Sequence, residues 1–457
     1  MTEASAKTYR EAARDLPVGG EFDVIVAGGG PAGIGAAVAS ARSGARTLLL
    51  ERYGFLGGMA TAGLVVPHFD GHSNKGINAE LIDRLSCLGG WGAPGWKISF
   101  DPELFKHVSE AMVLESGASI LYHSAVACPI VEDNRVCGVI VESKSGREAY
   151  LARTVVDTTG DGDVAARAGC RFEKGRPEDG LMQPMTYMFR MGGVDWVQHG
   201  AHDLFNLCQR AIEETGDDYR LPFDVPWAIH VPNPGEVVLQ LTHVRGVDGT
   251  DAAELTRAEI EGRRQVLDVC RFLKSHVAEF AGSRLIETAT QIGVRETRRI
   301  VGDYRISDDD VYDGVAFADG IADVTFPVDI HDPVDKSQPV SLVGTRRGKS
   351  GAYQIPYRAL LPTDREQLLV AGRCISGSYT AHASYRVKGP CMAMGQAAGT
   401  AAALGVLNGI APRLVDAGEL QHKLTKQGVT FPRREASSIP QPDEREPVPR
   451  RPYLGPG

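Results

Sequence analysis

The stretch FDVIVAGGGPAGIGAAVASARSGARTLLLE, residues 22–51, decides the fold. Its first six residues form a β-branched apolar run, which is typical of a central parallel strand. A glycine-rich turn, a helix of small residues and a second apolar strand follow in that order. The arrangement predicts a βαβ unit that binds a dinucleotide.

The glycine-rich turn has the pattern G-x-G-x-x-G, formed by Gly28, Gly30 and Gly33. The first glycine permits a sharp bend, the second lets a pyrophosphate approach the backbone, and the third brings the helix close to the strand. Pro31 and Ala32 open the helix, whose N-terminus faces the phosphates. Glu51 ends the second strand, where a carboxylate can bind an adenosine ribose. A glycine-rich helix start that serves only close packing is the less favoured alternative.

Bulk properties of the 457 residues indicate a globular protein that acts on a small molecule. The hydrophobic share of 43% and the charged share of 23% are near average, so disorder is not indicated. A formal charge of −9 without a basic cluster argues against a nucleic-acid partner. The eight cysteines form no C-x-x-C pair, so we expect no metal site and reduced thiols in a cytoplasmic protein. We expect neither a signal peptide nor a membrane span, and homo-oligomerisation stays open.

A second glycine-rich segment, RYGFLGGMATAGLV, directly follows Glu51. An NAD dehydrogenase usually continues into a crossover helix at this point, so the segment favours a loop that lies along a flavin. Its candidate cofactor contacts are Arg52, Gly57, Gly58, Met59, Ala60 and Thr61. Further on, a helix start at 101–103 and two β runs that lead into TTGDGD continue the α/β pattern.

These motifs together resemble the FAD-dependent oxidoreductases of the glutathione-reductase-2 superfamily. The resemblance covers residues 20–430 and includes GGGPAGIGAA, GFLGGMAT, VVDTTGDGD, IGVRETRRIVGDY, IPYRALLP and LLVAGRCISGSYTAHASYRVKGPCMAMGQAAGTAAAL. It implies bound FAD and an α/β fold, in which a three-layer Rossmann-like FAD-binding domain has a parallel central sheet plus a β-meander. It also implies an inserted α+β substrate domain. The expected boundaries are 20–174 and 346–431 for the FAD-binding domain, 175–345 for the substrate domain and 432–457 for an extended or disordered tail.

Further cofactor contacts that the resemblance implies are Ala127, Thr159, Gly160, Asp161, Gly372, Arg373, Gly389 and Met392. Many relatives have Asp where this chain has Arg373, so the usual carboxylate contact to the ribityl hydroxyls is in doubt here. The last helix, predicted from Pro390 to Asn408, is almost entirely Ala and Gly, which predicts close packing against the first helix. Its N-terminus would face the flavin pyrimidine, where the helix dipole favours the anionic reduced form.

Four side chains are candidate catalytic groups, namely His382, Arg386, Arg298 and His68. His382 and Arg386 lie in TAHASYR, which the resemblance places near the flavin ring. A histidine there can accept a proton while a hydride leaves to flavin N5. The alternative for His382 is a hydrogen bond that only positions the loop. His68 lies just after the glycine loop, from which it could face the same ring.

Arg298 is a candidate because an extended segment would place it on one face with Ile292, Val294 and Glu296. A buried guanidinium needs either an acid such as Glu296 or an anionic substrate. Arg295 and Arg299, on the opposite face, are lesser candidates. Earlier in the same region, Thr256 and Glu259 form a capping box that predicts the start of a long helix.

We therefore expect an FAD-dependent oxidoreductase that transfers a hydride between a small organic substrate and flavin N5, at a C–OH, C–NH or C–C bond. A flavin-dependent monooxygenase is the alternative enzyme, with a flavin-dependent RNA-modifying role less favoured. A non-catalytic binding protein that keeps the flavin fold is the alternative of another class. The substrate and the direction of transfer do not follow from the sequence.

Overall fold

The computed structural model describes residues 8–196, 199, 203–215, 221–222, 226–334, 341–343 and 352–431. The strands are, in chain order, β1 (Val18–Ala27), β2 (Thr47–Leu50), β3 (Trp91–Ala93), β4 (Trp96–Phe100), β5 (Ser119–Leu121), β6 (Ala125–Glu132), β7 (Arg135–Ser143), β8 (Gly146–Asp157), β9 (Phe172–Lys174), β10 (Phe189–Gly192), β11 (Trp227–His230), β12 (Glu236–Gln240), β13 (Arg284–Thr288), β14 (Arg298–Ile300), β15 (Gly320–Val324), β16 (Val328–Ile330), β17 (Ser341–Val343), β18 (Tyr353–Pro356) and β19 (Leu368–Val370). The helices are α1 (Pro31–Arg42), α2 (Ile77–Cys87), α3 (Pro102–Glu115), α4 (Asp163–Arg167), α5 (Asp203–Thr215), α6 (Ala252–His276), α7 (Asp308–Asp313), α8 (Tyr379–Tyr385), α9 (Lys388–Asn408) and α10 (Ala417–Lys426). The predicted tail, 432–457, lies outside the described residues.

A seven-stranded sheet contains the two strands of the quoted stretch. Its parallel strands lie in the order β5-β2-β1-β8-β19, and β6, β7 and the first half of β8 form an antiparallel meander. The order reverses between β1 and β8. In an open α/β sheet this reversal leaves a crevice at the carboxyl ends of the strands, where ligands bind. The expected α/β class, with a parallel sheet and a meander, is confirmed.

The centre of this sheet is buried. Residues 24–27 of β1 and 155–156 of β8 have no solvent exposure, as is typical of a parallel strand covered on both faces. The pairing of Val26 with Leu49 on one side and Val156 on the other fixes the register. The strand predicted from Phe22 therefore forms as expected, and it begins four residues earlier, at Val18.

A four-stranded antiparallel sheet, β11-β12-β10-β13, lies within residues 189–288 together with α6. The predicted start of α6 at Thr256 is wrong by about one turn. The helix begins at Ala252 because Asp251 caps it, its carboxylate accepting a hydrogen bond from the Glu254 backbone N–H. An aspartate at this position satisfies an N–H that otherwise has no partner, so the Thr256–Glu259 pair lies inside the helix.

Helices α1 and α9 pack with their backbones in direct contact. An added Cβ would lie 1.9 Å from the Ala32 carbonyl oxygen at Gly395, and 2.1 Å from the Ala36 carbonyl oxygen at Gly399. The close packing predicted for the last helix is thus confirmed, although α9 begins at Lys388 rather than at Pro390. By length and composition α9 could also cross a membrane, but 94% of its apolar window is buried inside the protein, as in a core helix.

We expect Gly395→Ala to lower the free energy of unfolding by at least about 3 kcal/mol, because the methyl group would overlap a backbone carbonyl that cannot swing aside. Chemical denaturation monitored by circular dichroism measures the change. Gly282→Ala is the control, since the nearest atom to its added Cβ is 3.9 Å away. Equal stability of the two variants would contradict the proposed close contact.

Candidate functional site

A cleft with a volume of about 270 Å³, partly open to solvent, lies at the carboxyl ends of β1, β2 and β8. It therefore coincides with the crevice that the strand order predicts. The predicted site residues that line it are Gly28, Gly30, Pro31, Ala32, Glu51, Arg52, Gly58, Met59, Thr159, Gly160, Asp161, Gly372, Arg373 and Arg386.

The three motif glycines have different surroundings. Gly28 has a φ of +107°, so it makes the sharp bend after β1. A Cβ at Gly33 would lie 1.8 Å from the Gly28 carbonyl oxygen, which makes this glycine a packing residue that does not line the cleft. A Cβ at Gly30 would meet only the Cα of Gly58, at 3.9 Å. The missing side chain at Gly30 thus leaves open space beside the N-terminus of α1.

Glu51 marks one end of the cleft. Its carboxylate is buried and accepts hydrogen bonds from the backbone N–H of Gly29, at 2.7 Å, and of Tyr53, at 2.8 Å. Burial raises its pKa, and these hydrogen bonds act in the opposite direction. The carboxylate therefore joins the glycine turn to the end of β2, next to the cleft residues 124–126. This is where a dinucleotide places its adenosine ribose.

The second glycine loop packs directly on the first. The Gly57 N–H donates to the Gly29 carbonyl oxygen at 2.8 Å, and a Cβ at Gly58 would lie 2.9 Å from the Cα of Gly30. Thr61 donates its hydroxyl to the Leu56 carbonyl oxygen at 2.7 Å. Within this loop Gly58 and Met59 line the cleft, whereas Gly57, Ala60 and Thr61 do not.

Arginines near the TTGDGD segment are paired with its carboxylates. Arg373 contacts Asp161 at 2.5 Å and donates its Nε–H to the Gly160 carbonyl oxygen at 3.0 Å. Arg298 pairs with Asp163 at 2.9 Å, while Glu296 pairs with Arg299. The acid that neutralises Arg298 is therefore not Glu296. At the position where the resemblance led us to expect a carboxylate, this chain has Arg373. The Asp161 side chain places a carboxylate beside it in the cleft wall.

Arg386 and two residues of the first turn of α9, Lys388 and Cys391, also line the cleft. Sequence reasoning missed Lys388, which is buried and donates its Nζ–H to the Val65 carbonyl oxygen at 2.8 Å. Burial lowers the pKa of Lys388 to about 7. A lysine in the first turn of an apolar helix was the available signal, because the positive end of the helix dipole disfavours a cation there.

Several predicted residues lie away from the cleft lining. His382, on α8, has no solvent exposure, and neither ring nitrogen has a hydrogen-bond partner among the described residues. His68 is also buried and bonds Asn78 through Nε2 at 2.9 Å. Burial lowers the pKa of His68 to about 3 and that of His382 well below its ordinary value, so both rings are neutral. The others outside the lining are Arg298, Ala127, Gly389 and Met392.

Comparison with known proteins adds three similarities. The profile of the family described as "FAD dependent oxidoreductase" matches residues 23–424. A thiamine thiazole synthase of Methanococcus vannielii is 30% identical over 31% of this chain and 56% of its own length, so the chain spans little more than half of that relative. A thiamine thiazole synthase of Aeropyrum pernix is 31% identical over 43% of this chain and 69% of its own.

Among solved structures, a geranylgeranyl bacteriochlorophyll reductase-like protein from Thermoplasma acidophilum is similar to 90% of this chain and 83% of its own, with 14% identity and a TM-score of 0.43.

The cleft residues fit FAD. The space at Gly30 admits a pyrophosphate to the N-terminus of α1, and Glu51 lies at the ribose end. Asp161, Gly372 and Lys388 also line the cleft and would hold the remaining half of the dinucleotide.

We expect Gly30→Ala to weaken FAD binding at least tenfold while leaving the apoprotein stable. Gly30 has a φ of −72° and open space around its Cβ position, so alanine fits the backbone and its methyl group occupies the cofactor space. Equilibrium dialysis of FAD measures the affinity, and Gly282→Ala is the control. Wild-type affinity in Gly30→Ala would show that no phosphate approaches this glycine.

Proposed function

This chain belongs to the FAD dependent oxidoreductase family, and we propose that this FAD-dependent enzyme transfers a hydride between a small organic substrate and its flavin. One observation carries the proposal beyond the family. The cleft is lined by a lysine whose pKa is about 7. Oxidation of a C–OH or C–NH group requires such a base, and a pKa near the working pH suits a general base.

Lys388 is suited to hold or release a proton at Nζ. The Val65 carbonyl oxygen fixes the amine at 2.8 Å, and the first turn of α9 favours its uncharged form. Two neighbouring side chains, Cys391 and His68, are neutral near pH 7, because burial raises the pKa of Cys391 to about 12 and lowers that of His68 to about 3. Of these three side chains, Lys388 is the one whose protonation changes near pH 7.

Bound FAD supplies the acceptor for the hydride, that is, for a proton and the electron pair of a C–H bond. The Lys388 amine takes the proton of the substrate's O–H or N–H group as the C=O or C=N bond forms. In the reverse direction the ammonium returns that proton. Burial of the amine excludes water, and the hydrogen bond to Val65 orients its lone pair.

His382 remains a proposed participant, although it does not line the cleft. It lies one helical turn before Arg386, which does line it, and the buried ring has no hydrogen-bond partner among the described residues. We propose that the region predicted as a substrate domain, 175–345, covers part of the cleft, because Gln291 lines it and bonds Arg52, and Thr297 bonds Asp161 at 2.6 Å.

Anaerobic mixing of the FAD-loaded protein with alcohols and amines tests hydride transfer. We expect at least one compound to bleach the flavin's visible absorbance stoichiometrically and to be recovered as the carbonyl or imine product. Reaction of the reduced protein with ¹⁸O₂ tests the alternative. Incorporation of ¹⁸O into an organic product would establish oxygenation and contradict simple hydride transfer.

For Lys388, kcat/KM with the substrate found should rise as the pH rises through about 7, because only the uncharged amine accepts a proton. Lys388→Met should lose this rise and about 10²- to 10⁴-fold in kcat. Lys388→Arg should be similarly inactive, since a guanidinium does not deprotonate. Arg263→Met, on the exposed face of α6, is the control. A pH profile unchanged in Lys388→Met would assign the base elsewhere.

A further inference from the structure

Arg386 contacts both the cleft and a buried carboxylate. Its Nη2 donates to the Asp329 side chain and to the Asp329 carbonyl oxygen, both at 3.0 Å. Its Nε is buried and has no hydrogen-bond partner among the described residues. Because Arg386 also lines the cleft, part of its donor fork remains available to a ligand.

A series of hydrogen-bonded side chains, Arg245, His243 and His331, ends at the Asp329 carboxylate. Arg245 lies 3.1 Å from His243 Nδ1, His243 Nε2 lies 3.2 Å from His331 Nδ1, and His331 Nε2 lies 3.3 Å from Asp329. Arginine can only donate, so His243 Nδ1 accepts and its Nε2 carries the hydrogen. His331 then accepts at Nδ1 and donates from Nε2 to the carboxylate. Every donor therefore points towards Asp329.

Both histidines in this chain are uncharged. Burial lowers the pKa of His331 to about 4 and that of His243 well below its ordinary value. Burial would raise the pKa of Asp329, but His331, Arg386 and Arg295 together hold it well below its usual range. Asp329 is thus the ionised carboxylate of this buried group.

Arg295 is a second buried guanidinium in this region, and the charges that act on its pKa are those of Arg386, Asp329 and Arg245. Its Nη1 donates to the Pro184 carbonyl oxygen at 2.6 Å and to the Thr186 hydroxyl at 2.7 Å, and both acceptors are uncharged. Among the described residues it forms no ion pair within 4 Å. Burial, followed by repulsion from Arg386, lowers the pKa of Arg295 to about 9, so it still carries its charge at neutral pH.

Three other arginines near the cleft are paired with an acid, as Arg298–Asp163, Arg299–Glu296 and Arg373–Asp161 show. Arg386 pairs with Asp329, whereas Arg295 carries a buried positive charge that no acid among the described residues pairs with. An unpaired buried cation is costly, whereas an anionic ligand would neutralise it.

Building on the proposed function, we propose that the substrate of this enzyme carries a carboxylate, which Arg386 binds and whose charge Arg295 balances. A planar guanidinium fork matches a carboxylate in shape as well as charge. The substrate class is therefore a hydroxy or amino acid, or another small organic acid that reacts beside Lys388.

The test compares benzoate, a carboxylate that cannot be oxidised at a C–OH or C–NH group, with benzamide, a neutral compound of similar shape. Each is titrated into the oxidised, FAD-loaded protein by isothermal calorimetry. We expect benzoate to bind at least tenfold more tightly than benzamide. Arg295→Met should abolish this preference, Arg295→Lys should retain part of it, and Arg263→Met should leave it unchanged.

Equal binding of the two compounds to the wild-type protein would overturn the inference without any variant. It would mean that FAD itself neutralises Arg386. A persistent benzoate preference in folded, FAD-loaded Arg295→Met would also overturn it. Binding of benzoate requires no redox reaction, so carboxylate recognition and hydride transfer are tested independently. If benzoate binds but no compound bleaches the flavin, only the proposed hydride transfer is contradicted. If only uncharged compounds bleach the flavin, only the proposed recognition of a carboxylate is contradicted.

Discussion

The contact between α1 and α9 is the constraint on which the rest of the structure depends. Backbone touches backbone at Gly395 and Gly399, so no side chain separates the two helices. Helix α1 begins at the G-x-G-x-x-G turn, and α9 begins at Lys388. Their contact therefore fixes the distance between two parts of the cleft lining, the N-terminus of α1 and the first turn of α9. Interiors packed this tightly transmit small displacements, so the geometry of the cleft depends on buried residues, such as Gly395 and Gly399, that do not line it themselves.

Charge neutralisation is the second organising feature of the cleft. Arg373 pairs with Asp161 of the facing segment, which provides a carboxylate in the cleft wall. The pair keeps both charges satisfied in a wall that is only slightly exposed. Arg295 differs from this ion pair, because the acceptors of its hydrogen bonds are a carbonyl and a hydroxyl and carry no charge. Around this cleft, an arginine that faces an acid forms a structural ion pair, whereas an arginine without an acid is a candidate for a ligand contact.

Sequence patterns predicted the parts of the fold that depend on interactions within a few residues of the chain. The glycine turn, the strand that precedes it and the end of α9 at Gly409, which has a φ of +67°, all follow from backbone requirements within a few residues. The start of α6 was missed because Asp251 competes with Thr256 as a cap, and both suit the role. The partner of Arg298 was not predictable, since Asp163 lies 135 residues away in the chain. The low pKa of Lys388 depends on burial, which the sequence does not show, although the position of this lysine in the first turn of an apolar helix was a signal.

The sheet order also has a consequence for how the chain folds. Strand β8 pairs with β1, and its other edge is completed by β19, which is synthesised more than 200 residues later. Helix α9, which covers the small-residue face of α1, is made later still. An emerging chain therefore exposes an unpaired strand edge and a bare Gly/Ala surface until residues 368–408 have left the ribosome. Contacts of such long sequence separation form slowly, and exposed edges favour association with other chains.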